Sequence, residues 1–278
     1  MIALVTDSAS QIPSELAERL GAHVVPITVT IDGTEHREGL DLTADDFWGR
    51  VEDGNVPEIA TSQPSPGEIA AVYEAALAAG ATAIVSVHVG ADVSGTVNAA
   101  KLAAALVNVP VHVVDSGTAS FGVTACLWRA ADAIAAGSTA ADAAAAAAAL
   151  APSIGTSFIL QGLDFARAGG RFEQTLPADA DDVIVLAGFG TALDIVGSAR
   201  DAEALCDLIV APFTADGRPV RTGVGLADDS TTVLTEMIEA RLRADDLVTE
   251  VVRYRVGPSI AAHTGPGTAG GFWWPADA

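Results

Sequence analysis

The 278 residues are half apolar and carry 14 Lys and Arg against 36 Asp and Glu, a formal net charge of −22. That composition excludes a disordered chain and argues against nucleic acid or an anionic membrane surface as a partner. Cys126 and Cys206 are too few and too isolated for a disulfide framework or a thiolate metal site, and no apolar run reaches membrane-spanning length. Met1–Asp7 has no basic segment ahead of an apolar stretch, so a soluble, cytoplasmic protein without stable membrane insertion is expected.

In chain order, Ile2–Val5 predicts a short strand, and Pro13 opens a helix that carries Leu16 and Leu20 and stops at Gly21. The β-branched run His23–Ile31 predicts a strand that ends in the Asp32-Gly33 turn. Thr43 with Asp46 reads as a capping arrangement for a helix ending near Gly54. Ser65-Pro66-Gly67-Glu68 is a stronger one, with Ser as N-cap, Pro at the first helical position and Glu reaching back; its helix runs to Gly80. Two strand–loop–helix units follow. Ala83–Val89 leads through Gly90–Thr96 into a helix to about Val107, and Val111–Val114 leads through Asp115–Gly117 into a long helix ending near Gly137. Such units predict a parallel sheet with helices on both faces and a ligand crevice beyond the carboxyl ends of its strands.

After an alanine-rich helix at about Ala140–Ala151 the pattern changes. Thr156–Leu160, Asp182–Leu186, Ala192–Val196, Arg221–Ala227 and Glu250–Val256 predict strands, and Ser230–Arg243 one long helix. The expected class is α/β with two domains, residues 1–151 and a smaller mixed α/β domain over residues 152–278.

Chemistry concentrates in hydroxyl-rich loops. They are Thr61-Ser62-Gln63-Pro64-Ser65, Ser94-Gly95-Thr96, Asp115-Ser116 with Ser120-Phe121-Gly122, and the histidine-bearing His263-Thr264-Gly265-Pro266-Gly267. Uncharged hydroxyls at helix N-termini suit an anion such as a carboxylate. Each loop also has an ordinary structural reading: a cap for Ser65 or Ser94, an Asx turn for Asp115, a hydrogen-bonded structural histidine for His263. Sharper motifs fail. Gly265–Gly270 matches GxGxxG in form, but Phe272-Trp273-Trp274-Pro275 follows instead of a helix, and neither a Walker A loop nor a GxSxG elbow is present.

As an ordered set, Val5-Thr6-Asp7-Ser8, Thr-Ser-Gln-Pro-Ser, Ser-Gly-Thr, Asp-Ser with Ser-x-Gly, Gly169-Gly170-Arg171 and His-Thr-Gly-Pro-Gly resemble the DegV family over essentially the whole chain. The resemblance implies a fatty acid held between the two domains, its acyl chain in an apolar tunnel. By motif, Thr61 and Ser94 would be the principal carboxylate ligands, with His263 contributing from the second domain. Ser62, Gly95, Thr96 and Thr264 would be neighbours, and Ser116, Ser120 and Arg171 would support them. It further implies no catalytic residue, no metal and no cofactor apart from the long-chain fatty acid itself. A partner fatty acid kinase would phosphorylate the presented acid. The chain departs from the family where lysines are common: Leu176–Ala187 holds Asp179, Asp181 and Asp182 and no lysine, and Arg200 is the lone cation nearby. Asp92 also replaces part of the usual serine-rich approach to Ser94. Two rival readings stand beside this one: a hydrolase or transferase using Ser94 or Ser116 with His263, and a binding protein for another small acid.

Overall fold

Apolar strands short enough to span one sheet alternate with helices through the first part of the chain, and the fold follows from that alternation. The computed structural model describes residues 1–51, 57–161, 163, 167, 170 and 182–277. The chain divides into two units, Met1–Asp41 with Ala60–Pro152, and Leu42–Ile59 with Ser153–Ala278.

The first unit is built on a four-stranded parallel sheet in the order β2-β1-β6-β7, from Ala22–Val25 (β2), Ile2–Asp7 (β1), Ala83–His88 (β6) and Val111–Asp115 (β7). Pro66–Ala78 (α3) and Thr96–Ala104 (α4) pack together, burying Ile69, Tyr73, Ala99 and Ala103 against Ala3, Val5 and Ile84. Phe121–Ala135 (α5) packs on β1 and β6, and Ala140–Leu150 (α6) on β6 and β7. With helices on both faces, β1 and β6 are buried along nearly their whole length, which is why both read as continuous apolar runs. Ser14–Leu20 (α1) ends as expected on Gly21 in the left-handed region, φ 64°.

The predicted strand His23–Ile31 is two strands. Proline at 26 has no N–H to give a ladder, and the chain turns there out of the parallel sheet. Thr28–Ile31 (β3) pairs antiparallel with Thr34–Arg37 (β4) in a separate three-stranded sheet completed by Ile59–Ser62 (β5). Thr61 and Ser62 are therefore the last residues of β5 and do not follow a strand of the parallel sheet.

The second unit holds a six-stranded mixed sheet in the order β10-β9-β8-β13-β11-β12. These are Ala192–Ala199 (β10), Val183–Phe189 (β9), Gly155–Leu160 (β8), Ala269–Pro275 (β13), Val220–Leu226 (β11) and Val248–Arg255 (β12). Only β11 and β12 run parallel. Ala202–Val210 (α7) and Thr232–Arg243 (α8) cover one face, where Leu205, Ile209, Phe213, Leu234 and Ile238 meet Ile159, Val185, Val224 and Trp273. Burying each such side chain stabilises by roughly 1.5–3 kcal/mol. The opposite face presents Phe158, Leu160, Ile184 and Leu186. Ala44–Val51 (α2), which the sequence reading left in the first domain, groups with this unit. Its buried Trp48 donates Nε1–H to the Val256 carbonyl at 3.0 Å, and Asp45 pairs with Arg255 at 2.9 Å. The expected Thr43–Asp46 cap is present, with the Asp46 amide donating to Thr43 Oγ1 at 3.1 Å; Gly54 lies outside the described residues.

Among the described residues of this second unit, α7, β13 and Pro258–Thr264 (α9) went unread in the sequence. The fold remains α/β, a parallel sheet with helices on both faces in one unit and a mixed sheet in the other.

Candidate functional site

Ser94 sits in the crossover from β6 to α4. The chain leaves β6 through Gly90, whose amide donates to the Thr118 carbonyl at 2.7 Å. A Cβ there would lie 3.0 Å from the Thr118 nitrogen, so the close approach of two loops selects glycine. The turn closes as the amides of Val93 and Ser94 both donate to the Gly90 carbonyl at 3.1 Å. A helix start leaves its first amides without intrahelical acceptors. Here Ser94 Oγ accepts from the Thr96 amide at 3.3 Å and shares a 2.9 Å hydrogen bond with Thr96 Oγ1. Thr96 is fully buried and Ser94 half-buried, so the pair forms a fixed donor group with one open side. Asp92 faces solvent, which keeps its charge away from that group.

The Thr61 motif reaches the same place. Ser65 and Glu68 complete the capping box of α3: the Ser65 amide donates to Glu68 Oε2 at 2.8 Å, and the Glu68 amide to Ser65 Oγ at 3.2 Å. The Ser65 amide and, at 2.8 Å, the Ser65 hydroxyl both donate to Oε2 and hold the Glu68 carboxyl below its usual range. Capping is thus complete without Thr61 and Ser62. Gln63 joins the two motifs: its Oε1 lies 1.7 Å from where a Cβ on Gly95 would stand. Glycine at 95 is what lets the Thr61–Gln63 segment close on the Ser94–Thr96 turn. Thr61 is half-buried and Ser62 exposed.

Asp115 and Ser116 act inside their own loop. Asp115 Oδ1 accepts from the Gly117 amide at 3.0 Å, an Asx turn, and from the Ala91 amide at 3.1 Å, tying this loop to the root of the Ser94 turn. Ser116 Oγ, fully buried, donates to the Thr118 carbonyl at 3.3 Å. Ser120 precedes α5 with φ 53° and ψ −142°, a conformation suited to glycine, and makes no side-chain cap bond.

His263 was expected in a loop and lies instead in the last turn of α9, in the second unit. Proline at the first helical position was the signal for that helix. Thr264 is buried, with Oγ1 directed at the Ile260 carbonyl at 3.4 Å. The following turn is locked: the Gly267 amide donates to Asp228 Oδ2 at 2.6 Å, and Thr268 Oγ1 to the Gly265 carbonyl at 3.0 Å. Arg171 lies outside the described residues, as do Asp179 and Asp181. Among the described residues no group of three or more His, Cys, Asp and Glu could hold a metal, and no helix is long and apolar enough to cross a membrane.

One polar constellation was not foreseen. His88, at the end of β6, places Nδ1 2.9 Å from Asp7 Oδ2 and Nε2 2.7 Å from Ser86 Oγ, and Tyr73 Oη donates to Ser86 Oγ at 2.8 Å. A carboxylate oxygen only accepts, so Nδ1–H faces Asp7, while the Ser86 hydroxyl shares a hydrogen bond with Nε2. The connectivity is that of a Ser-His-Asp triad, yet all four groups are fully buried, and burial pushes the Tyr73 hydroxyl up to about 12. No substrate can reach Ser86. The clue was the alternation of Ser86 and His88 on one face of a strand whose partner ends in Asp7.

The chain matches a family model described as "Uncharacterised protein, DegV family" over residues 1–276. It is 34% identical over 279 residues to a DegV domain-containing protein of Streptomyces coelicolor, spanning 97% of this chain and 96% of that protein. Among solved structures it is similar to a DegV family protein from Thermus thermophilus described by its fatty acid binding, at 32% identity and a TM-score of 0.86 over 99% of both chains. It is also similar to DegV from Bacillus subtilis, a fatty acid binding protein, at 25% identity and 0.85 over 99% of both chains. The chain belongs to the DegV family.

Proposed function

We propose that this protein binds a long-chain fatty acid as a carrier, with no chemistry of its own, and presents it to a fatty acid kinase. The observation that carries the reading is the convergence, within the first unit, of Thr61–Gln63 on Ser94–Thr96, joined at Gln63 and Gly95. Neither motif brings a cation. A carboxylate there is held by the hydroxyls of Thr61 and Ser94, with Ser62, Gly95 and Thr96 around them and the first amides of α4 behind. His263 and Thr264 are proposed as further ligands on the strength of the family motif. Uncharged donors satisfy a carboxylate that would otherwise cost several kcal/mol to bury.

Affinity comes from the acyl chain. At ~0.8 kcal/mol per buried CH₂, about fifteen methylenes supply on the order of 12 kcal/mol gross, before the cost of ordering the ligand and desolvating its head group. The hydroxyls then set orientation more than strength. Organic extraction of the purified protein followed by mass spectrometry tests the reading: close to one fatty acid per chain is expected. An empty extract, with no uptake of added oleate or palmitate, refutes it and leaves another small acid as the ligand.

A further inference from the structure

We propose that Asp7 is a positioning residue for the ligand loop: its buried carboxylate holds the root of the Ser94 turn, and so sets where the Ser94 hydroxyl stands. The proposal rests on the reading of Ser94 as a carboxylate ligand. Three consecutive amides leave β6 and each is fastened from outside the loop. Val89 donates to Asp7 Oδ2 at 3.1 Å, Gly90 to the Thr118 carbonyl at 2.7 Å, and Ala91 to Asp115 Oδ1 at 3.1 Å. The Gly90 carbonyl then accepts the amides of Val93 and Ser94. Two carboxylates and a carbonyl therefore determine the start of the turn, and one hydrogen bond separates that start from Ser94.

Asp7 differs from Asp115 in being fully buried, where a charge is costly unless its bonds are good. Its bonds converge on one oxygen, Oδ2, which accepts from both Val89 and His88. Oδ1 is buried and makes no hydrogen bond. The carboxylate is anchored on the side that faces the loop. Behind it Tyr73 donates to Ser86, Ser86 lies against His88 Nε2, and His88 Nδ1 meets Asp7. Tyr73 lies in the middle of α3, so the buried chain ties that helix through β6 to the root of the Ser94 turn.

The test compares wild type with Asp7→Ala and Asp7→Asn by hydrogen exchange and by oleate titration. Asn keeps an oxygen that can accept from both Val89 and His88; Ala removes it. In Asp7→Ala, amide exchange at Val89 and Ser94 is expected to accelerate roughly tenfold or more, and the oleate Kd to rise by a similar factor, as for loss of a charge-assisted hydrogen bond. Protection at Ala3–Val5 and Val85–Val87 is expected to persist, and Asp7→Asn to restore most of both losses. Unchanged exchange at Val89 and Ser94 in Asp7→Ala overturns the proposal, as does equal loss of protection throughout β1 and β6. If Asp7→Ala does not fold, Asp7→Asn decides: loss of oleate affinity at wild-type loop protection overturns it, and retention of both supports it. A wild type that binds no oleate refutes the function proposed above, while the exchange comparison still judges the clamp.

Discussion

Ser94→Ala separates the structural and ligand-binding roles of one hydroxyl. Ser94 Oγ is the partner of Thr96 Oγ1 at 2.9 Å, and Thr96 is fully buried. Removing it strands a buried hydroxyl, which costs about 1–3 kcal/mol. The same change removes a donor to the proposed carboxylate, about 1.5–3 kcal/mol for a bond to a charged group, or roughly ten- to hundredfold in Kd. The double variant Ser94→Ala with Thr96→Val takes away both partners while keeping their shape, a replacement that is close to neutral for stability. Denaturant midpoints should therefore fall in the single variant and recover in part in the double one, where the Thr96 amide still lacks Ser94 Oγ. Oleate affinity by calorimetry should stay low in both. Wild-type affinity in the double variant would refute Ser94 as a ligand, and a double variant less stable than the single would refute the hydrogen-bond accounting.

Gly95→Ala places a Cβ on the Gln63 amide, the far end of a flexible side chain, so it should weaken oleate binding while shifting the midpoint little. Adding Gln63→Ala should recover part of the affinity; no recovery would mean Gln63 does not link the motifs. Ser120→Gly relieves a backbone strained at φ 53° and should raise stability by about 1 kcal/mol; a loss would show that its hydroxyl is needed. Cys126 and Cys206 are buried, and burial, with the Asp115 charge behind it, pushes the Cys126 thiol up to about 12. Burial also raises Cys206. Neither should react with a disulfide reagent until the protein unfolds, and rapid labelling of native protein would contradict that packing.

The first unit was legible because local signals agree with its topology. Capped helices, apolar strands buried on both faces and a Gly21 stop all repeat at βα spacing. What escaped there was β4 and β5, four-residue strands with little apolar patterning, and the break at Pro26, where a β-branched run changes sheets. In the second unit, β13 hid behind its glycines. A Cβ on Gly270 would stand 2.3 Å from the Ser157 carbonyl oxygen, and one on Gly271 2.3 Å from that of Gly223, so close strand packing selects residues that propensity counts against a strand. The helix α7 carried its own signal, Asp201 accepting from the Ala204 amide at 2.9 Å, but short alternating strands on either side masked it. At the site, sequence order identified the hydroxyl motifs and left their tasks undivided. Ser65 caps, Asp115 and Ser116 hold a loop, and Gln63 of the Thr61 motif stands against Gly95 of the Ser94 motif. Only three-dimensional contacts, Gln63 against Gly95 above all, make that division.

The charge of the whole protein gives the sharpest remaining test of the proposed carboxylate site, whose Thr61 and Ser94 motifs bring no cation. At −22 the chain repels an incoming carboxylate over the Debye length, about 8 Å at physiological salt, while the hydroxyls and helix amides act only at contact. Salt should therefore speed association of oleate by screening the repulsion and leave dissociation nearly unchanged. A site anchored by lysine or arginine would behave in the opposite way, because salt would screen attraction. Salt also strengthens burial of an acyl chain, so the comparison ligand is oleyl alcohol, which has the same chain and no charge. Stopped-flow rates for acid and alcohol from low to moderate sodium chloride decide the matter. A larger acceleration for the acid is expected. Equal slopes would mean that charge has no part in entry, and a slower acid would place a cation at the carboxylate, against the hydroxyl site argued from Thr61 and Ser94.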